Sequence, residues 1–199
     1  KSVLDFIPVA LHANILAGTS TDDVGSYFQL AFNWLITASH GGELQVPPGR
    51  YHIATQATID RTPGASGQFF NMRVSAYGAQ FTTAGNIYPF KFYKGGAEQH
   101  LTWAGGEFLY YNPSNGAGTD AKGGFILQGA SNTTFDGVVA IVGNCSDTSF
   151  AFYKLEQTNV SDNNTATFWV RWPNCKFRGV ASTIANVPAA IWSYGSNND

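Results

Sequence analysis

Cleaving a glycosidic bond by hydrolysis takes two carboxyl groups on either side of one linkage, about 5 Å apart for retention and roughly 6.5–9.5 Å for inversion. The acids in the body of this chain that could form such a pair are Glu98, Glu107, Asp120, Asp136, Asp147, Glu156 and Asp162. Four of them are the catalytic candidates. Glu107 follows the pair Gly105-Gly106, and Asp136 precedes Gly137. Asp120 lies in the 112–122 loop, and Glu156 opens the longest insertion. A lyase would instead need a base beside a charge neutraliser, and Arg171, Lys176 and Arg178 are close in sequence.

Aromatic side chains offer a second kind of chemistry. Sugar rings present apolar C–H faces and hydroxyl rims, which suit Tyr and Trp with their polar handles. Tyr110 and Tyr111 border one loop, while Trp169, Arg171 and Trp172 border another. These five are the candidate binding residues. Strand alternation sends about half of such aromatics inward, and Trp103, Phe135 and Phe177 are assigned to an inward stack. The acids are scattered, so no metal site is expected, and no motif calls for a cofactor.

The elements that must position these groups show as a repeat. Three segments align, starting at Gln99, Ser131 and Pro173, each with a polar turn residue, one aromatic and a glycine two residues later. Gly78, Gly105, Gly137 and Gly179 mark the repeat, at intervals of 27, 32 and 42 residues. Units this short cannot bury their own apolar face and must stack on one another. Short β-rich runs fill the chain from Tyr51 onward: 72–76, 90–93, 107–111, 125–127, 138–142, 150–155, 168–172 and 191–194. Equivalent positions on neighbouring coils of such a stack lie about one strand spacing of 4.8 Å apart, and Glu107 and Asp136 fall on adjoining coils but three motif positions apart. The polar turn slot places Asn132 and Asn174 together as a possible amide ladder.

Before these coils, Val24, Tyr27, Phe28, Ala31, Leu35 and Ala38 recur at helical spacing, which predicts a helix over 22–39. Asp22 and Asp23 put negative charge at its positive end, and Gly41-Gly42 stops it. The helix is placed as a lid on the first coil, covering edges that would otherwise pair with other chains. Residues 2–6 read as a strand. The organisation expected is one continuous domain: 1–50 as strand, capping helix and lead-in turn, and 51–199 as coils. Trp192–Asn197 repeats the style of Leu127–Asn132 without a second lid, so a longer parent protein with further coils is expected.

Composition narrows the function classes. Charged residues make up 12% and aromatics 15% of the 199, with 22 glycines and a net charge of −2. That charge gives no footprint for nucleic acid or an anionic membrane, and no apolar run reaches the ~18 residues of a spanning helix. Cys145 and Cys175 form no CxxC pair and are read as small buried hydrophobes. Asn132, Asn144, Asn159 and Asn163 match the glycosylation pattern but are read as turn residues. Neither a GxSxG elbow nor a Walker loop is present.

The run Ser2-Val3-Leu4-Asp5-Phe6, then Gly18-Thr19-Ser20-Thr21-Asp22-Asp23, the helix, and Gly41–Tyr51 with its Pro47-Pro48-Gly49-Arg50 turn resembles the N-terminal part of right-handed parallel β-helices of the pectate-lyase superfamily. Within that group it is most similar to bacteriophage tailspikes and tail-fibre depolymerases, over about the first 55 residues. Many members carry a fuller Gly-Asp-Gly before the helix, where this chain has Ala17-Gly18-Thr19. The resemblance implies an all-β, single-stranded solenoid with an amphipathic capping helix. It also implies a homotrimeric virion spike that binds, and in many members cleaves, bacterial surface polysaccharide. A non-catalytic receptor-binding spike and a secreted pectate-lyase-like enzyme are the alternatives it leaves open.

Overall fold

The computed structural model describes residues 1–37, 41–61, 71–94, 100–110, 121–130, 132–143, 150–156, 169–179 and 189–194. Their strands fall into three parallel sheets. The first sheet holds β1 (Gly42–Gln45), β4 (Asn71–Ser75), β7 (His100–Ala104), β10 (Thr133–Asp136) and β13 (Val170–Arg171). In the second are β2 (Gly49–Ile53), β5 (Ala79–Thr83), β8 (Glu107–Tyr110), β11 (Val139–Val142) and β14 (Lys176–Gly179). The third contains β3 (Ala57–Asp60), β6 (Phe90–Tyr93), β9 (Phe125–Gln128), β12 (Ala151–Glu156) and β15 (Ala189–Tyr194). Each coil of chain gives one strand to each sheet and pairs with the coil below it. The molecule is a parallel β-helix.

Alternation explains the core. In β5, β6 and β8 every second residue is buried, because successive side chains point to opposite faces. Inward residues then stack in rows from coil to coil. Leu44, Val74, Trp103 and Phe135 share one row of the first sheet, at intervals of 30, 29 and 32 residues. Trp103 is fully buried among Phe81, Phe90 and Phe125, with ring centroids 5.9, 4.7 and 5.0 Å away. Its indole nitrogen donates to the Gly105 carbonyl at 3.1 Å, so no polar atom is stranded there.

The turn between the first and second sheets has a fixed backbone requirement. Register places Gly78, Gly105, Gly137 and Asn174 at one position of successive coils, with φ of 80°, 76°, 66° and 57°. That left-handed region suits Gly and, next to it, Asn. Here the repeat read from sequence needs correcting at its last copy. Gly179 pairs with Val142 inside the second sheet and does not succeed Gly137. Phe177 pairs with Ala140 in that sheet, so it does not join the row of Trp103 and Phe135. Asn132 and Asn174 precede strands of different sheets and form no ladder. An asparagine standing in for the turn glycine hid the true period.

The N-terminal segment also differs from expectation. Residues 3–5 form a 3-10 turn, because Ser2 Oγ accepts from Leu4 N–H while the Asp5 carboxylate accepts from Ser2 N–H. Helix α1 (Val9–Leu16) lies between the residues expected to form the first strand and the expected capping helix, where no helix was expected. It shows no apolar stripe, since Val9 and Leu16 are exposed and Ile15 is its buried residue. Helix α2 (Gly25–Thr37) is the predicted lid, and it buries Phe28, Ala31, Phe32 and Leu35 over the first coil. Phe28 meets Tyr51, Phe81 and Phe90 within 6.1 Å.

All three sheet edges at this mouth are occupied. Beside β1, Ser2 bridges Gln45, whose N–H donates to the Lys1 carbonyl at 2.8 Å. Along β2, Asp23 bridges His52, and Val24 N–H donates to the His52 carbonyl. At β3 the Gln29 side-chain amide acts as a strand: it donates to the Thr58 carbonyl at 2.9 Å and accepts from Thr58 N–H at 2.7 Å.

Candidate functional site

The left-handed turn that joins the first two sheets also shapes a cleft on the outside of the solenoid. It has a volume of about 350 Å³ and is lined by Tyr77, Gln80, Glu107, Val139 and the turn glycines. Tyr77 is half-exposed although it is a large aromatic. Its ring lies along the glycines of the next two coils: a Cβ added at Gly105 would meet Tyr77 Cδ1 at 2.7 Å, and one added at Gly137 would meet Cε1 at 3.7 Å. The absent side chains thus let a tyrosine ring spread over two neighbouring coils.

Polar groups line the wall beside that ring. Arg50, Gln80 and Glu107 occupy one outward row of the second sheet. Arg50 Nη2 donates to Gln80 Oε1 at 3.3 Å, and Gln80 Nε2 donates to Glu107 Oε2 at 2.9 Å. The alternation that buries Phe81 and Phe108 is what turns Gln80 and Glu107 outward.

Of the acids singled out from sequence that fall among the described residues, Glu107 alone lines this cleft. Asp136 ends β10 on the far side of the same turn, and its carboxylate accepts from the Asn174 side chain at 3.0 Å. Glu156 ends β12 in the third sheet, on a different flank, and is ion-paired with Lys154. Asp120 lies outside the described residues. The four acids are therefore not one constellation.

The aromatic candidates separate likewise. Tyr110 is fully buried, with its hydroxyl donating to the Gly123 carbonyl at 2.9 Å. It is packing, because β8 alternation sends Phe108 and Tyr110 inward together, and it cannot be a binding platform. Tyr111 lies outside the described residues. Trp169 is exposed at φ 55°, just before β13, and Arg171 is exposed within that strand. Trp172 is half-buried, 5.7 Å from the Tyr153 ring, and lines a second cavity of about 170 Å³ with Cys175, Phe177 and Ile191. Burial pushes the Tyr153 phenol well up, and the neighbouring Cys175 adds to that. This second cavity is mainly apolar, with Lys176 the one charged residue and no carboxylate among its described lining residues.

Sequence reasoning passed over Tyr77, Gln80 and Arg50. A signal was present: Tyr77 stands just before Gly78, the first glycine of the repeat, and counting outward positions from each glycine would have aligned Gln80 with Glu107. Among the described residues, no group of three or more His, Cys, Asp or Glu is placed to hold a metal ion.

No family model and no curated sequence matches the chain. Among solved structures it is similar to PfbA, a surface adhesin of Streptococcus pneumoniae, with a TM-score of 0.52 and 14% identity. The match covers 96% of this chain and 56% of that one, so this chain spans little more than half of the adhesin's length. What the likeness establishes is the fold, a parallel β-helix with an N-terminal helix.

Proposed function

We propose that this chain is the β-helical part of an extracellular recognition protein, displayed on a virion or a cell surface, and that its Tyr77–Glu107 cleft binds polysaccharide. The observation that carries the reading is the half-exposed Tyr77 ring laid over glycines beside Gln80 and Glu107. An aromatic face next to hydrogen-bonding groups in a shallow open cleft is the arrangement that sugar rings favour. The structural likeness to a surface adhesin supports a surface role, and the N-terminal resemblance to tailspikes supports a virion one. A homotrimer is part of the tailspike version. A sedimentation measurement giving a monomer of the full-length protein would remove that version alone.

Cleavage is a second reading, favoured by one observation: Glu107 and Asp136 flank the same turn on neighbouring coils. Against it stand the single carboxylate that the described residues bring to the cleft and the engagement of Asp136 with Asn174. Both readings are tested by incubating the protein with a panel of purified bacterial capsular polysaccharides. Retention should be weakened at least tenfold by Tyr77→Ala, with no shortening of the polymer. Chain shortening that Glu107→Gln abolishes would make the protein a depolymerase, and a panel that never binds would end the proposal.

A further inference from the structure

The three outward residues Arg50, Gln80 and Glu107 make a directional chain, and direction has consequences for the ligand. Arginine only donates, so the Gln80 oxygen must face Arg50 Nη2 and the Gln80 nitrogen must face Glu107. The neutral amide is thereby oriented by the cation on one side, and it grips one oxygen of the carboxylate on the other. Among the described residues no protein donor reaches Glu107 Oε1. An ionised carboxylate offers acceptors and no donor. Among the described residues, the other side chains lining the cleft are those of Tyr77, Ala79, Gln80 and Val139, and none of them is a cation. On the same row Val139 separates Glu107 from Lys176, and Gln80 separates it from Arg50.

Resting on the reading of this cleft as a polysaccharide site, we infer that Glu107 is its specificity-determining residue, selecting sugars that present donors: neutral vicinal hydroxyls or, better, the ammonium of an unacetylated amino sugar. Acidic sugars are disfavoured. An ammonium gives a charge-assisted hydrogen bond to the carboxylate, whereas a uronic carboxylate would meet a like charge that no cation among the described lining residues offsets. Gln80 is a positioning residue for Glu107 in this scheme: its amide, oriented by Arg50, holds the carboxylate in place at the cleft wall.

The test uses matched oligosaccharides in gluco, galacto and manno configurations, each as hexose, hexosamine and hexuronic acid with the same linkage. Binding to the full chain is read by titration calorimetry at neutral pH. The expected order is hexosamine first, hexose next, and hexuronic acid at least tenfold weaker than its hexose counterpart. Glu107→Gln, which keeps the size and removes the charge, should shrink the hexosamine-to-hexuronic ratio to within about threefold. Gln80→Leu should weaken hexose binding severalfold while preserving the sign of the ratio. Circular dichroism confirms that both variants fold. If the native protein binds hexuronic acid as tightly as hexose, or if Glu107→Gln leaves the ratio unchanged, the inference falls while the polysaccharide reading stands. If no sugar of any class binds, both fall together.

Discussion

Two polar clusters, one at the lid and one on the outward row of the second sheet, use the same kinds of side chain to different ends. At the lid, Asp23 accepts from Gly25, Ala54 and Thr55 N–H groups and from the Thr55 hydroxyl, while Gln29 pairs with both backbone groups of Thr58. Apart from the Thr55 hydroxyl those partners are backbone groups, at the start of α2 and along the open end of the first coil, which would otherwise be left unpaired or, at a sheet edge, would recruit another chain. On the flank, Arg50, Gln80 and Glu107 bond to each other and leave an acceptor facing a cleft. A polar group fully engaged by its own backbone serves the fold, and one with hydrogen-bonding capacity open to a cavity can serve a ligand. Substitutions at the two clusters should therefore separate stability from binding.

The largest effect is expected at the lid from Gly25→Ala. A Cβ at Gly25 would sit 1.9 Å from the Thr55 carbonyl oxygen, so α2 must lift off the first coil. Overpacking of this kind costs about 3 kcal/mol, read as a lower midpoint in urea. Asp23→Ala should follow at about 2 kcal/mol, the upper end for a lost helix cap. Its pH dependence has a definite sign. Partial burial pushes the Asp23 carboxyl up, but the hydrogen bonds from Thr55, Ala54 and Gly25 outweigh it and hold the group below its ordinary value of 3.8. A carboxyl lowered on folding contributes stability above its unfolded value, and that contribution is lost as pH falls through the folded value. Native protein should thus lose stability below about pH 4 more steeply than Asp23→Ala. Parallel acid-unfolding curves for the two would show that the lid does not depend on this group.

Much of the fold is legible in the residues. Glycines at the left-handed turn, the alternation of Phe90–Tyr93 and Glu107–Tyr110, and the apolar stripe of α2 are local signals, and each has the element it predicts. Two failures share a physical cause. Helix α1 buries little, so it leaves no periodic trace. At the last turn Asn174 takes a glycine's place, which moved the inferred period by five residues, from Asn174 to Gly179. Arg61 is a third kind of miss: it is buried, with its guanidinium lowered to about 10 by that burial, and donates to Thr133 Oγ1. Hydropathy patterns place every arginine outside. The candidate site was legible only at Glu107, because its partners come from 27 and 57 residues earlier, and that adjacency exists only once coil lengths are known. Tyr110 was misjudged for the opposite reason: its loop-side position suggested exposure, while strand parity decides burial.

A middle-sized effect belongs to Gln29→Leu. It removes two hydrogen bonds to the open edge of β3 while keeping the side chain's bulk, and should cost about 1 kcal/mol. Its more telling readout is association, since an uncovered edge strand is a template for pairing. Light scattering of the variant should rise with concentration where that of the native protein does not.

The smallest stability effect, and the sharpest test of the comparison, is Glu107→Gln. Its carboxylate is half-buried on the outward face and accepts from a single side-chain donor, Gln80. A glutamine there can still accept from Gln80, so the unfolding midpoint should move by less than about 0.5 kcal/mol. Gly25→Ala should lower stability while leaving sugar affinity per folded molecule intact, because the cleft is built from later coils. If instead Glu107→Gln destabilised the protein as much as Asp23→Ala does, the row Arg50–Gln80–Glu107 would be holding coils together as the lid does. The distinction between groups that serve the fold and groups open to a ligand would then fail at the place where it matters most.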